Sequence, residues 1–273
     1  MNMKKYGWIL IGLILFAFAG CDDSDSETAS APLTLELWGE EFIEKGIPAE
    51  VFADGYALTY QKFLISLSNV KTAETEGDAV AARFPEQKIW DLTPAGPFVV
   101  GQAEVPTGAY ENTGYAILQA TAQATSGNAT PADVQMMIQN KYSVYVEGTA
   151  KLGDESWTFA WGFQTNTVYG PCHSTGTVTE AAGGAIEITI HGDHFFYDSA
   201  VSTDPALRFA DIALADADGD YVITQDELAQ YSLAPLAHYM VPPTSDAKDM
   251  WGFLSHMTAT LGHIDGEGHC ETE

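Results

Sequence analysis

All seven histidines lie after Cys172, and most have carboxylates or a cysteine beside them. One group is the run His191-Gly192-Asp193-His194. Another is the glycine-punctuated tail from Gly262, which holds His263, Asp265, Glu267 and His269 before Cys270. His173 directly follows Cys172. Imidazole nitrogen with carboxylate oxygen suits Zn²⁺ or Cu²⁺, whereas cuprous copper usually seeks softer sulfur as well. The candidate ligands are therefore His191, Asp193, His194, His263, His269 and His173. Glu267 is the candidate general base should such an ion keep an open coordination position. The alternative for the same residues is a hydrogen-bonded polar network without metal.

A different chemistry is written into Asp216-Ala-Asp218-Gly-Asp220-Tyr221-Val222-Ile223-Thr224-Gln-Asp-Glu227. Calcium takes six to eight hard oxygens, and a tightly wound loop supplies them from alternate side chains, one backbone carbonyl and a closing bidentate carboxylate. The segment resembles an EF-hand loop. That resemblance implies side-chain ligands from Asp216, Asp218 and Asp220, the carbonyl of Val222, Thr224 directly or through water, and both oxygens of Glu227. One position departs from the pattern: Tyr221 stands where glycine normally supplies a positive φ, at ~1–2 kcal/mol for a bulky residue. A single loop outside the cell is expected to be structural rather than regulatory. The competing reading is a solvated acidic turn.

The elements that must carry these groups change character along the chain. Up to about Thr179 the pattern has period two. Leu33, Leu35 and Leu37 alternate with polar residues, Asp54-Gly55 signals a turn, and a phase change after Tyr60 predicts a bulge near Gln61 and Lys62. Further strands are expected near Ile89–Leu92, Phe98–Val105, Tyr115–Ala122 and Val144–Leu152. Trp157, Phe159, Trp161 and Phe163 form an aromatic core stripe. Pro131-Ala132-Asp133 starts one helix. Ile186, Ile188 and Ile190 make a further strand, leaving His191 and Asp193 on its other face, with a turn at Gly192 to bring His194 round. Helices are then expected over Asp204–Leu214, over Asp226–Ser232, and along Met250, Phe253, Leu254, Met257 and Leu261. The fold class is mainly β, an antiparallel sandwich or barrel with a C-terminal helical extension carrying the acidic loop.

The 273 residues include 38 acidic and 11 basic side chains, a net charge of −27. A nucleic-acid partner is excluded, since phosphate neutralisation needs clustered Lys and Arg. From Gly184 onward, 16 acids meet only Arg208 and Lys248. At the other end, Lys4 and Lys5 precede fourteen uncharged residues and Phe18-Ala19-Gly20-Cys21. This layout is too short for a comfortable transmembrane helix and has the form of a secretory signal. It resembles the lipobox of bacterial lipoproteins, which implies cleavage before Cys21 and a diacylglycerol on its sulfur. Losing residues 1–20 removes two lysines and no acid, taking the charge from −27 to −29. Residues 21–32 then read as an acidic tether, 33–198 as a β-rich domain, and 199–273 as the helical calcium-loop extension. The implied location is the bacterial envelope, outside the cytoplasm and anchored in a bilayer, with inner and outer membrane both open. In that oxidising compartment Cys172 and Cys270 are expected to form a disulfide, free thiols or a thiolate metal ligand being the alternative.

Several short pieces resemble the MbnP-like lipoproteins of the "metallo-mystery pair" group. They are Ala53-Asp54-Gly55, the run Phe63-Leu64-Ile65-Ser66-Leu67-Ser68-Asn69-Val70, Trp90-Asp91-Leu92, Pro106-Thr107-Gly108-Ala109-Tyr110, Val146-Glu147-Gly148 and the aromatic strand towards Cys172. The resemblance covers less than half the chain and implies a β-rich extracytoplasmic protein that handles copper, often beside a haem-containing redox partner. The C-terminal acidic loop and histidine tail depart from that pattern. Three functions follow as expectations. The first is metal capture or delivery at the envelope, with Ca²⁺ as a structural ion and Cu or Zn as the second metal. The others are a metal-dependent hydrolase and a calcium-stiffened adhesion module. No Ser/His/Asp arrangement, phosphate-cradling glycine loop or HExxH helix supports catalysis independently.

Overall fold

A computed structural model describes residues 29–272. The signal segment 1–20, the lipidation position Cys21 and most of the tether lie outside the described residues. The strands are β1 (Ser30–Trp38), β2 (Ala57–Ala73), β3 (Ala82–Phe84), β4 (Lys88–Asp91), β5 (Phe98–Pro106), β6 (Gly108–Ile117) and β7 (Thr125–Ser126). They continue with β8 (Val144–Leu152), β9 (Glu155–Phe163), β10 (Thr167–Val178), β11 (Gly184–Ile190), β12 (Val222–Ile223), β13 (Gly262–Ile264) and β14 (Cys270–Thr272). The helices are α1 (Glu40–Glu44), α2 (Pro131–Asn140), α3 (Ala210–Ala213), α4 (Gln225–Gln230) and α5 (Met250–Met257). Short 3₁₀ turns span Gly192–Phe196 and Thr258–Thr260.

The chain is mainly β, with two curled sheets packed as a sandwich or half-barrel. The smaller sheet runs β13-β11-β1-β5. The larger follows β12-β9-β8-β2-β6-β10-β14, with β3, β4 and β7 beside β2. Pairing is mostly antiparallel; the parallel pairs are β1 with β11, β12 with β9, and β4 with β7. The residues after Ser199 add β13 to the small sheet and β12 and β14 to the large one.

Alternation drives the packing. Leu33, Leu35 and Leu37 of β1, the β9 stripe and Ile186, Ile188 and Ile190 of β11 are all buried in one core. The bulge expected near Gln61 is present as a register shift between Tyr60 and Lys62 against β8. Thr130 caps α2 by accepting from the Asp133 N–H at 3.2 Å.

Three element expectations are corrected. β1 already begins at Ser30, inside the stretch read as tether, because the backbone there pairs with β5. The strand expected over Tyr115–Ala122 runs instead over Gly108–Ile117. Beyond Leu118, whose N–H still donates to the Ser66 carbonyl of β2, the backbone leaves the ladder: the Gln119 N–H donates to Asn166, and the Ala120 N–H to the Tyr142 carbonyl. The helix expected over Asp204–Leu214 is confined to Ala210–Ala213. Upstream of it, the carboxylate of Asp198 accepts from the Ala206 N–H at 3.0 Å and from Arg208 Nε at 2.8 Å. The Arg208 N–H meanwhile donates to the Phe196 carbonyl, so these groups have partners outside any helix.

Candidate metal centre

The small sheet converges its chemistry at one end. β1 and β11 are parallel, with Trp38 opposite Thr189, so both strands finish on the same side. Glu40 follows β1 and His191 follows β11. β13 runs antiparallel beside β11, pairing Gly262 with Ile190 and His263 with Thr189. His191 is anchored by its N–H to the Leu261 carbonyl at 2.9 Å. The chain then folds into the Gly192–Phe196 turn, which presents Asp193 and His194. Gly192 is required here, since a Cβ would lie 2.6 Å from Ile43 and 3.1 Å from the Tyr60 ring. The Tyr60 hydroxyl donates to the Gly192 carbonyl at 2.6 Å.

Three imidazoles meet as a result. Ring centroids are 4.4 Å apart for His191 and His263, 5.0 Å for His191 and His194, and 5.1 Å for His194 and His263. All three residues are buried, as is Asp193. Two donor groups have ligand atoms within 4.8 Å of one another: His191, Asp193 and His194 form the first, and His191, His263 and Glu267 the second. His269 stands at the exposed rim, its ring 5.8 Å from that of His263. The Cys172–Cys270 disulfide is formed and ties this rim to β10.

Each ring has a distinct support. His194 Nδ1 is 2.6 Å from the Thr260 carbonyl, and its ring lies 4.6 Å from that of Tyr197. His191 has Nδ1 3.5 Å from a Glu40 carboxylate oxygen and Nε2 3.3 Å from the Gly266 carbonyl. His263 is the exception, because its buried Nδ1 has no hydrogen-bond partner. A buried polar atom left unpaired is destabilising by about 1–3 kcal/mol, and a metal ion would satisfy it.

Electrostatics favour metal over proton. Burial, then repulsion from the neighbouring His191, holds His194 and His263 down to about 4. Both rings are neutral at pH 7 and keep a lone pair for a ligand bond. Burial raises the Glu40 and Asp193 carboxyls above their usual range, opposed by His191 in both cases and by the Tyr197 hydrogen bond at Asp193. Burial followed by the charge of Asp193 pushes the Tyr197 hydroxyl well above its ordinary value.

Of the residues singled out by sequence, the structure brings His191, Asp193, His194 and His263 together, with Glu267 and His269 at the edge. His173 stays outside. It faces solvent on β10, where alternation buries its neighbours Cys172 and Ser174 instead. The disulfide draws the chains together without turning that side chain inward. Sequence reasoning missed Glu40, Tyr197 and the Thr260 carbonyl. Glu40 has one signal of its own in the structure: a φ of +56°, uncommon for a non-glycine residue and frequent at functional sites.

The acidic loop is built differently. Oxygens of Asp216, Asp218 and Asp220 lie within 4.8 Å of one another, the first half-buried and the others exposed. Asp216 accepts from the Gly219 and Tyr221 N–H groups at 2.9 and 3.0 Å. Tyr221 does adopt the positive φ, +65°, and its ring rests 5.5 Å from that of Trp157. Val222 and Ile223 form β12 against β9. Thr224 and Glu227 make a reciprocal capping box at the start of α4, and Glu227 also accepts from the Ala217 N–H at 3.1 Å. The flanking α3 is capped from a distance by Asp54, which accepts from the Phe209 and Ala210 N–H groups at 2.7 and 2.8 Å.

No family model matches the sequence, and no curated protein matches it. Among solved structures, MbnP from Methylosinus trichosporium is similar to this chain at 10% identity and a TM-score of 0.35. The overlap covers 62% of this chain and 78% of that one. That is a weak structural resemblance, and the chemistry of the site rests on its own residues.

Proposed function

We propose that the protein binds a transition metal at the bacterial cell envelope, outside the cytoplasm, and captures or delivers that metal. Anchoring is through a lipid on Cys21. The observation that carries the reading is the buried set of three imidazoles, His194 and His263 among them held neutral, with carboxylates alongside and an unpartnered His263 Nδ1. Nitrogen and oxygen donors without free sulfur favour Zn²⁺ or Cu²⁺. Both cysteines among the described residues are in the disulfide. His191 would hold the ion together with either His194 and Asp193 or His263 and Glu267.

Ca²⁺ occupies the acidic loop in this proposal, held by Asp216, Asp218, Asp220, the Val222 carbonyl, Thr224 and Glu227, and it braces the middle of β9 through β12. Support comes from the clustered aspartates and the positive φ of Tyr221. A haem-containing or other redox protein of the envelope is the proposed partner in metal exchange. Elemental analysis of the purified protein after exposure to Cu²⁺, Zn²⁺ and Ca²⁺ tests the reading. Cu or Zn retained by the wild type and lost from His191→Ala and His263→Ala supports it. Calcium alone overturns the transition-metal part.

A further inference from the structure

The histidine cluster holds more ligands than one ion can use. Four imidazoles and three carboxylates gather there, whereas a Zn²⁺ or Cu²⁺ site takes four or five donors. The donors also do not form one set. They divide into His191 with Asp193 and His194, and His191 with His263 and Glu267. His191 belongs to both groups, and its two ring nitrogens face different neighbours. Nδ1 looks towards Glu40 at 3.5 Å and Nε2 towards the Gly266 carbonyl at 3.3 Å, the residue before Glu267.

We infer that the site takes two divalent transition-metal ions, one in each donor group, bridged by the imidazole of His191. Glu40 stands beside His191 Nδ1, and His269 at the rim next to His263. Bridging requires both nitrogens of His191 to bond metal, so its N–H proton leaves to solvent as the second ion enters. The charges then balance. Glu40, Asp193 and Glu267 with the deprotonated ring supply four negative charges, which two divalent ions neutralise.

This inference rests on the transition-metal reading above, and stoichiometry separates the two. Metal-free protein is saturated with Ca²⁺ to fill the acidic loop, titrated with Zn²⁺, passed through gel filtration and analysed for zinc per chain. The expected result is two zinc ions in the wild type and one in Asp193→Asn and in Glu267→Gln, with His191→Ala weakening both by at least tenfold. With Cu²⁺ the filled site shows less paramagnetic resonance intensity than two isolated ions, because the bridged pair is magnetically coupled. One zinc at saturation overturns the two-ion site and leaves the proposed function standing. No zinc overturns both. Two zinc ions in the wild type and in both carboxamide variants would place the second ion elsewhere and also overturn the bridge. Unchanged thermal melting of the two carboxamide variants without metal shows that loss of zinc is not loss of fold.

Discussion

The histidine cluster and the acidic loop are opposite arrangements of candidate cation ligands. The loop is twelve consecutive residues, mostly exposed, whose carboxylates accept hydrogen bonds from the loop's own backbone. The cluster is assembled from the end of β1, the turn after β11, and the segment through β13, with three rings buried and two of them, His191 and His194, held by distant carbonyls. Local geometry can make the first site in a short peptide. The second exists only when the small sheet is closed, so its affinity is tied to global folding.

That contrast is most strongly tested at the disulfide. It closes a 98-residue separation, which in a chain-entropy treatment stabilises the fold by about 4–5 kcal/mol. A Cys172→Ser/Cys270→Ser protein is expected to lose stability of this order in urea denaturation. Its zinc affinity falls as the rim carrying Glu267 and His269 comes loose, while its calcium heat in calorimetry stays unchanged. Equal loss at both sites would end the distinction between a tertiary and a local site.

Next in size is ligand removal. His263→Ala is expected to weaken Cu²⁺ or Zn²⁺ by a hundredfold or more, with Ca²⁺ binding intact. Glu227→Gln should do the reverse, removing the calcium-dependent rise in melting temperature while the carboxamide keeps the capping box with Thr224. Cross-effects in either variant would show that the two sites are coupled.

The pH response is smaller and has a defined sign. His194 and His263 are held at about 4 in the folded protein, below the 6.5 of an unperturbed histidine. Between these values the unfolded chain binds more protons than the folded one, so stability falls as pH drops from about 6.5 to about 4. Thermal melts of metal-free protein should show this decline. His194→Gln/His263→Gln should flatten it, whereas an equal decline in that variant would mean other groups carry the effect. The smallest change is expected from Tyr221→Gly, which relieves a positive φ and loses contact with Trp157. Calcium affinity should shift by less than tenfold, measured by calorimetry.

What sequence made legible follows the same division. Contiguous signals read well: the helix start at Pro131, the bulge near Gln61 and the β9 stripe all depend on neighbours within a few residues. His191 and His194 were visible as a pair, since the strand pattern ends just before them. Glu40 was not, because nothing in its local spacing differs from Glu41 and Glu44. Its role comes from β1 lying parallel to β11. The failed helix at Asp204–Leu214 is similar: a cap and a first-turn proline were present, but Asp198 and Phe196 engage the backbone there first.

The direction of β1 bears on the proposed lipid anchor. Nine residues of strand, Ser30–Trp38, cover about 30 Å from the start of the described chain to the histidine end. An anchor ahead of Ser30 would therefore grip the small sheet at one pole and leave the cluster at the other. The histidine cluster would then stand about a strand's length farther from the bilayer than the anchored end.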